Sequence, residues 1–131
     1  MKVVVDENLS PALARALNAL FAGQHEVAHM RDKFGASVKD VDWIGRLSDE
    51  GHWIVISGDA NITKRKAEQS AFRNSRLTGF FFAPALNAAK VTRQMQRLLA
   101  IWDDIEAIAK PVAPGAMYEL PIKGKIRQLR T

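Results

Sequence analysis

Short, largely apolar runs of four to six residues recur along this chain, and each is followed by a stretch whose apolar side chains fall at helical spacing. That alternation constrains the fold more than any other feature. Lys2–Val5, His25–Met30, Trp53–Ile56 and Gly79–Phe82 are too short for buried helices and read as strands. Trp53–Ile56 is apolar throughout, as a strand covered on both faces requires. Between them, Ser10 offers an N-cap, Pro11 suits the first helical position, and Leu13, Leu17, Leu20 and Phe21 make one stripe ending before Gly23. Ser37 and Asp40 have the spacing of a capping box, with Val41, Ile44 and Leu47 as the inner face of a helix that stops at Gly51. A polar, basic helix is predicted from Thr63 to about Arg76. The longest helix carries Val91, Met95, Leu98, Leu99, Trp102 and Ile105 on one side. Met117, Tyr118, Leu120 and Ile122 alternate as an edge strand that tolerates Pro121, and the basic end, residues 123–131, is expected to be loose. The reading is α/β: three layers, α/β/α, with a mainly parallel central sheet, right-handed crossovers and one domain over residues 1–131.

Composition removes several chemistries. The chain has no cysteine, so disulfides, thiolate metal sites and cysteine nucleophiles are excluded. His25, His29 and His52 each fall in or beside an apolar strand, where packing or a backbone hydrogen bond is the common role, and zinc is disfavoured. No segment approaches the ~20 apolar residues that cross a bilayer. A cytoplasmic location and no membrane partner are expected. Charge is divided unevenly: residues 1–59 hold six Lys and Arg against nine acids, and the remainder hold thirteen against five. An acidic front suits a cation, and a basic back suits a polyanion.

The acids fall where an α/β sheet places its ligands. Asp6 and Glu7 come directly after the first strand, and Asp59 follows the third. In open α/β sheets the ligand crevice lies beyond the carboxyl ends of the strands, near the reversal of strand order. A third acid is available on the helix after the second strand. Asp40 has a local task in the capping box, whereas Asp42 has none and sits beside Trp43 and Ile44; Asp42 is therefore the preferred third acid. Converging carboxylates need a cation, and their hard oxygens suit Mg²⁺ or Mn²⁺. Such an ion serves phosphodiester hydrolysis.

The motifs DENL after the first strand, GAS-x-x-D-x-D-W in the middle and ISGDANI after the third resemble the short PIN-like domains related to VapC-type toxin ribonucleases. The likeness covers the first half of the chain by motif and the rest by element order. It implies a metal-dependent endoribonuclease, commonly the toxin of a toxin–antitoxin pair, with RNA as substrate, a small antitoxin protein as partner and frequent homodimers. The family's acids map onto Asp6, with Glu7 beside it, Asp42 and Asp59. The chain departs from the pattern at Asn61, where relatives often carry a further Asp; its carbonyl oxygen can still support a metal or a metal-bound water.

Between Ala60 and Leu99 there are eight Lys and Arg and one acid, Glu68. Lys64 and Arg65, closest after Asp59, are the expected phosphate contacts. Phe80, Phe81, Phe82, Trp43, Trp53 and Trp102 belong to apolar stripes and form no stacking platform. Two other readings fit parts of the pattern. A receiver-like phosphoacceptor would share the acids, but Lys110 follows a helix rather than a strand, and the fourth strand ends without a hydroxyl residue. A PIN-like module that binds without cleaving is compatible with Asn61.

Overall fold

Val3, Val4 and Val5 have no solvent exposure, and they form a strand with partners on both sides. The computed structural model describes residues 1–111 and 114–129. Its six strands are β1 (Lys2–Val5), β2 (Glu26–His29), β3 (Ile54–Ser57), β4 (Thr78–Phe82), β5 (Met117–Leu120) and β6 (Arg127–Leu129). They make one sheet in the order β2-β1-β3-β4-β5-β6, parallel except for the antiparallel β5–β6 pair. The helices are α1 (Pro11–Leu20), α2 (Met30–Phe34), α3 (Asp40–Glu50), α4 (Lys66–Arg73), α5 (Pro84–Asn87) and α6 (Val91–Ala109), with a 3-10 turn at Ala60–Thr63. This is the expected three-layer α/β fold.

The period of two along each strand sends alternate side chains to opposite faces. Val3, Val5, Ile54, Ile56, Phe80, Phe82, Tyr118 and Leu120 face α1 and α6. Val4, Val55, Phe81 and Met117 face α2, α3 and α4. The expected aromatic residues are all core: Trp43, Trp53, Trp102 and Phe80–Phe82 are buried.

The crossovers are not all of one hand. The β3-to-β4 and β4-to-β5 connections step the same way across the sheet, but α4 lies on one face and α6 on the other. Their hands are therefore opposite, which corrects the uniformly right-handed expectation. Burial explains the exception. The ten-residue α1 cannot cover the side chains that β3, β4 and β5 turn to its face, and α6, about 28 Å long, covers them with Leu98, Ile101, Trp102 and Ile105. Val91 and Leu99, placed in the buried stripe from sequence, lie on its exposed flank.

Three local expectations are corrected. Helix α3 has no capping box: Lys39 is the N-cap without a side-chain bond, and Ser37 has a left-handed backbone at φ 63°. Val41 faces solvent, and the buried stripe is Trp43, Ile44 and Leu47. Strand β5 is not the edge, because Arg127–Leu129 of the supposedly loose tail pairs with it; Pro121 falls just outside both strands. Residues 130–131 of that tail lie outside the described residues.

A polar clamp ties α6 to the start of β2. Glu106 Oε1 accepts from Trp102 Nε1 at 3.0 Å and contacts His25 Nε2 at 2.5 Å, while Trp102 stacks on Phe21. Burial pushes the Glu106 carboxyl up, but the hydrogen bonds from His25 and Trp102 outweigh it and hold the group below the ordinary glutamate range. A lowered carboxyl stabilises the fold above its unfolded pKa, and that contribution disappears as pH falls through the folded value. Glu106→Gln is thus expected to cost about 1–2 kcal/mol in urea unfolding at pH 7. The difference from wild type should shrink at pH 3.

Candidate active site

The chain steps from β1 outward to β2 and then returns to the other side of β1 as β3, so the loops after β1 and β3 diverge. That reversal opens a crevice at the carboxyl ends of these strands. Asp6 and Asp59 enter it from the two sides. The backbone N–H of Asp6 extends the ladder by donating to Ile56 O at 2.8 Å, which fixes the first acid relative to β3.

Ser57, wholly buried, couples the two acids. Its hydroxyl donates to Asp6 Oδ2 at 2.7 Å and accepts from the Asp59 N–H at 2.9 Å. Asp6 Oδ1 accepts from the Glu7 N–H at 2.6 Å, and Asp59 Oδ1 accepts from the Asn61 N–H at 2.9 Å. Each carboxylate is thereby aimed by one oxygen. Asn8 Oδ1 accepts from Gly58 N–H at 3.3 Å and joins the two loops again.

The third acid in the crevice is Asp40, not Asp42. A cavity of about 270 Å³ is lined by Asp6, Glu7, Asn8, Asp40 and Asp59 together with the apolar Met30, Val38 and Trp43. Asp40, Trp43, Ile44 and Leu47 follow the i, i+3, i+4, i+7 spacing of one helical face, so the packing that buries Trp43 turns Asp40 inward. Trp43 Nε1 donates to Asp40 Oδ1 at 2.9 Å. Asp42 is exposed and lies with Arg65 and Glu68 in an adjoining hollow that Asp40 also borders. The preference for Asp42 came from assigning Asp40 to a capping box that the structure lacks.

Glu7 lines the cavity and Asn61 does not, and each has a local task in the loops. Both Glu7 carboxylate oxygens accept from the Ser37 N–H, at 3.0 and 3.1 Å, and Arg31 lies 3.6 Å away. Glu7 holds the loop that delivers Asp40, with Ser37 in its left-handed conformation. Asn61 is exposed and touches Asp59 through its backbone; its side chain does not line the cavity. The two expected phosphate contacts separate: Arg65 lines the hollow beside Asp40, and Lys64 borders a cavity on the far side of Gly58. The three histidines serve as structural partners. His29 Nε2 donates to Leu9 O at 2.8 Å, His52 pairs with Thr78 Oγ1, and His25 belongs to the Glu106 clamp.

Electrostatics follow from this crowding. Burial raises the Asp6 carboxyl above the ordinary aspartate range, with Asp40 and Asp59 adding repulsion, while hydrogen bonds from Ser57 and Glu7 N–H oppose the shift. Asp6 is 5% exposed. Burial also raises Asp40, and the charges of Asp59 and Glu68 contribute, against the Trp43 hydrogen bond and the Arg65 charge. Among the described residues no basic side chain lines the 270 Å³ cavity. Four carboxyl groups around one space, two of them resisting ionisation, fit a hard divalent cation in charge and donor type. Among the described residues no three His or carboxylate groups stand close enough to hold an ion directly. A fitting ion is one that keeps water between itself and some of the acids, as magnesium commonly does.

Sequence reasoning missed Ser57 and Asn8, and it set Asp40 aside for a capping box. The signal for Asp40 was present in D-x-x-W-I-x-x-L, a single helical stripe with an acid at its leading end. A family model described as PIN like domain matches residues 1–84, the span from β1 to the start of α5 that carries every crevice acid. No curated protein and no solved structure matches the chain.

Proposed function

Because the chain belongs to the PIN-like domain family, we propose that it is a metal-dependent endoribonuclease that hydrolyses RNA phosphodiester bonds. The observation that carries this reading is the convergence of Asp6, Asp40 and Asp59, with Glu7, on one cavity that no basic side chain lines among the described residues. Asp6, Asp40 and Asp59 would hold Mg²⁺ or Mn²⁺. A bound ion of this kind stabilises charge on phosphoryl oxygens and lowers the pKa of the attacking water. The protein's own groups do the positioning. Ser57 fixes the Asp6 carboxylate against the Asp59 loop, Glu7 holds the loop before Asp40, and the apolar walls of Met30, Val38 and Trp43 keep the local dielectric low. Lys64 and Arg65 flank the crevice on opposite sides, where they would neutralise phosphates before and after the scissile bond. The departure from the family pattern at Asn61 lies outside the cavity lining.

The role of toxin, with a small antitoxin protein as partner, rests on the resemblance of DENL and ISGDANI to the short PIN-like domains, a group related to VapC-type ribonucleases. Incubation with a panel of structured and single-stranded RNAs in Mg²⁺ or Mn²⁺ tests the activity. Cleavage that stops with EDTA supports it, and an intact panel in both metals overturns it. RNA affinity measured in EDTA should fall steeply with salt, and Lys64→Ala should reduce the slope of log K against log salt by about 0.7 for single strands. An unchanged slope would remove Lys64 from the interface.

A further inference from the structure

A second cavity, of about 310 Å³, lies at the same end of the sheet, beyond the carboxyl ends of β3, β4 and β5. Gly58 lines it, and Gly58 is the residue immediately before Asp59. The two cavities are therefore separated by one loop. Phe81 and Phe82 at the end of β4, with Pro84 and Leu129, supply its apolar lining, Asn87 and Glu119 supply polar groups, and Lys64 stands at the border. The Asn87 amide lies directly against Gly58: a Cβ added there would come within 2.1 Å of Asn87 Oδ1. Glu119, three-quarters buried, is paired through Oε1 with Arg127 across the β5–β6 ladder. That ion pair reduces the repulsion a bare carboxylate would exert on a polyanion, and it leaves Oε2 without a partner among the described residues. The volume matches the small end of ligand pockets, about 300 Å³.

We propose that this cavity receives the base of a nucleotide flanking the scissile phosphate and favours guanine. The proposal rests on the ribonuclease reading. A carboxylate only accepts hydrogen bonds, and guanine is the RNA base whose Watson–Crick edge presents adjacent N–H donors, at N1 and N2. The Asn87 Nδ2 amide can donate to O6 or N7, both of which are acceptors. Lys64 is placed for the phosphate of the same nucleotide. Single-stranded RNA is commonly read in this manner, with unstacked bases inserted into apolar pockets and bonded on their edges.

The test is titration of the ¹⁵N-labelled full chain with the four nucleoside 5′-monophosphates in EDTA, followed by amide NMR. The expected result is saturable shifts at Gly58, Phe82 and Glu119, with GMP bound about tenfold more tightly than AMP, CMP or UMP. Glu119→Gln should bring the four within about twofold, while Lys64→Ala weakens all four alike and keeps the preference for GMP. The spectrum of each variant reports whether it is folded, and Asn87→Ala, on an exposed residue, gives a second reading of the pocket should Glu119→Gln unfold. Equal binding of all four, or shifts confined to the Asp6 crevice, overturns the proposal. Because metal is absent, a GMP preference without RNA cleavage would count against the nuclease reading alone, and cleavage without base preference would count against the pocket alone.

Discussion

Asp6→Asn is expected to lower metal-dependent RNA cleavage by about 10³-fold or more while leaving the protein folded. The loss follows from the ion it would help to hold, whose charge stabilisation is worth several kcal/mol to a phosphoryl transition state. Retention of the fold follows from burial. The carboxylate of Asp6 sits beside Asp40 and Asp59 in a space that no basic side chain lines among the described residues, and its pKa is raised by burial first and by those neighbours second. The folded state therefore holds the proton more tightly than the unfolded chain, and wild-type stability should rise as pH falls from the raised value toward the ordinary aspartate range. Asn removes the charge and keeps an acceptor for the Glu7 N–H. Thermal unfolding between pH 4 and 7 in EDTA should show Asp6→Asn at least as stable as wild type at pH 7, with a flatter pH dependence. A variant that cleaves within threefold of wild type would remove Asp6 from the reaction.

The second large effect separates two aspartates that differ by two positions. Asp40→Asn should reduce cleavage by about 10²-fold or more. Asp42→Asn should stay within about threefold of wild type, because Asp42 is exposed and does not line the cavity that Asp6 and Asp59 share. Measuring kcat/KM for both against one RNA, with metal dependence as a second reading, decides the matter. A larger loss at Asp42 than at Asp40 would restore the assignment that sequence reasoning prefers. In Asp40→Asn the amide can keep an oxygen toward Trp43 Nε1, so the loss would report the missing charge rather than a displaced tryptophan.

The contrast between these aspartates shows where sequence reasoning stopped. Asp6 and Asp59 were legible because each follows an apolar run that can only be a strand, and strand ends point to one edge of a parallel sheet. Helical positions are harder. Val41, Ile44 and Leu47 and the alternative Trp43, Ile44 and Leu47 are both acceptable apolar stripes in isolation, and they differ by a small rotation about the helix axis. Trp43 decides between them, since burying the larger ring removes more apolar surface from water than burying Val41. Asp40 lies on the inner side of either stripe and Asp42, about 200° further round the helix, on the outer side, so only the supposed capping box set Asp40 aside. Ser57 went unnoticed for a related reason: its hydroxyl matters only once β1 and β3 are neighbours, 51 residues apart in sequence.

Short-range information in the chain was sufficient for the alternation of strand and helix, the layered α/β class and the two acids at strand ends, because each depends on a few consecutive residues. The tertiary structure alone decided the pairing of β6 with β5 and the face on which α6 lies. Those depend on which apolar surfaces remain uncovered after the other elements have packed, and no local stretch carries that information.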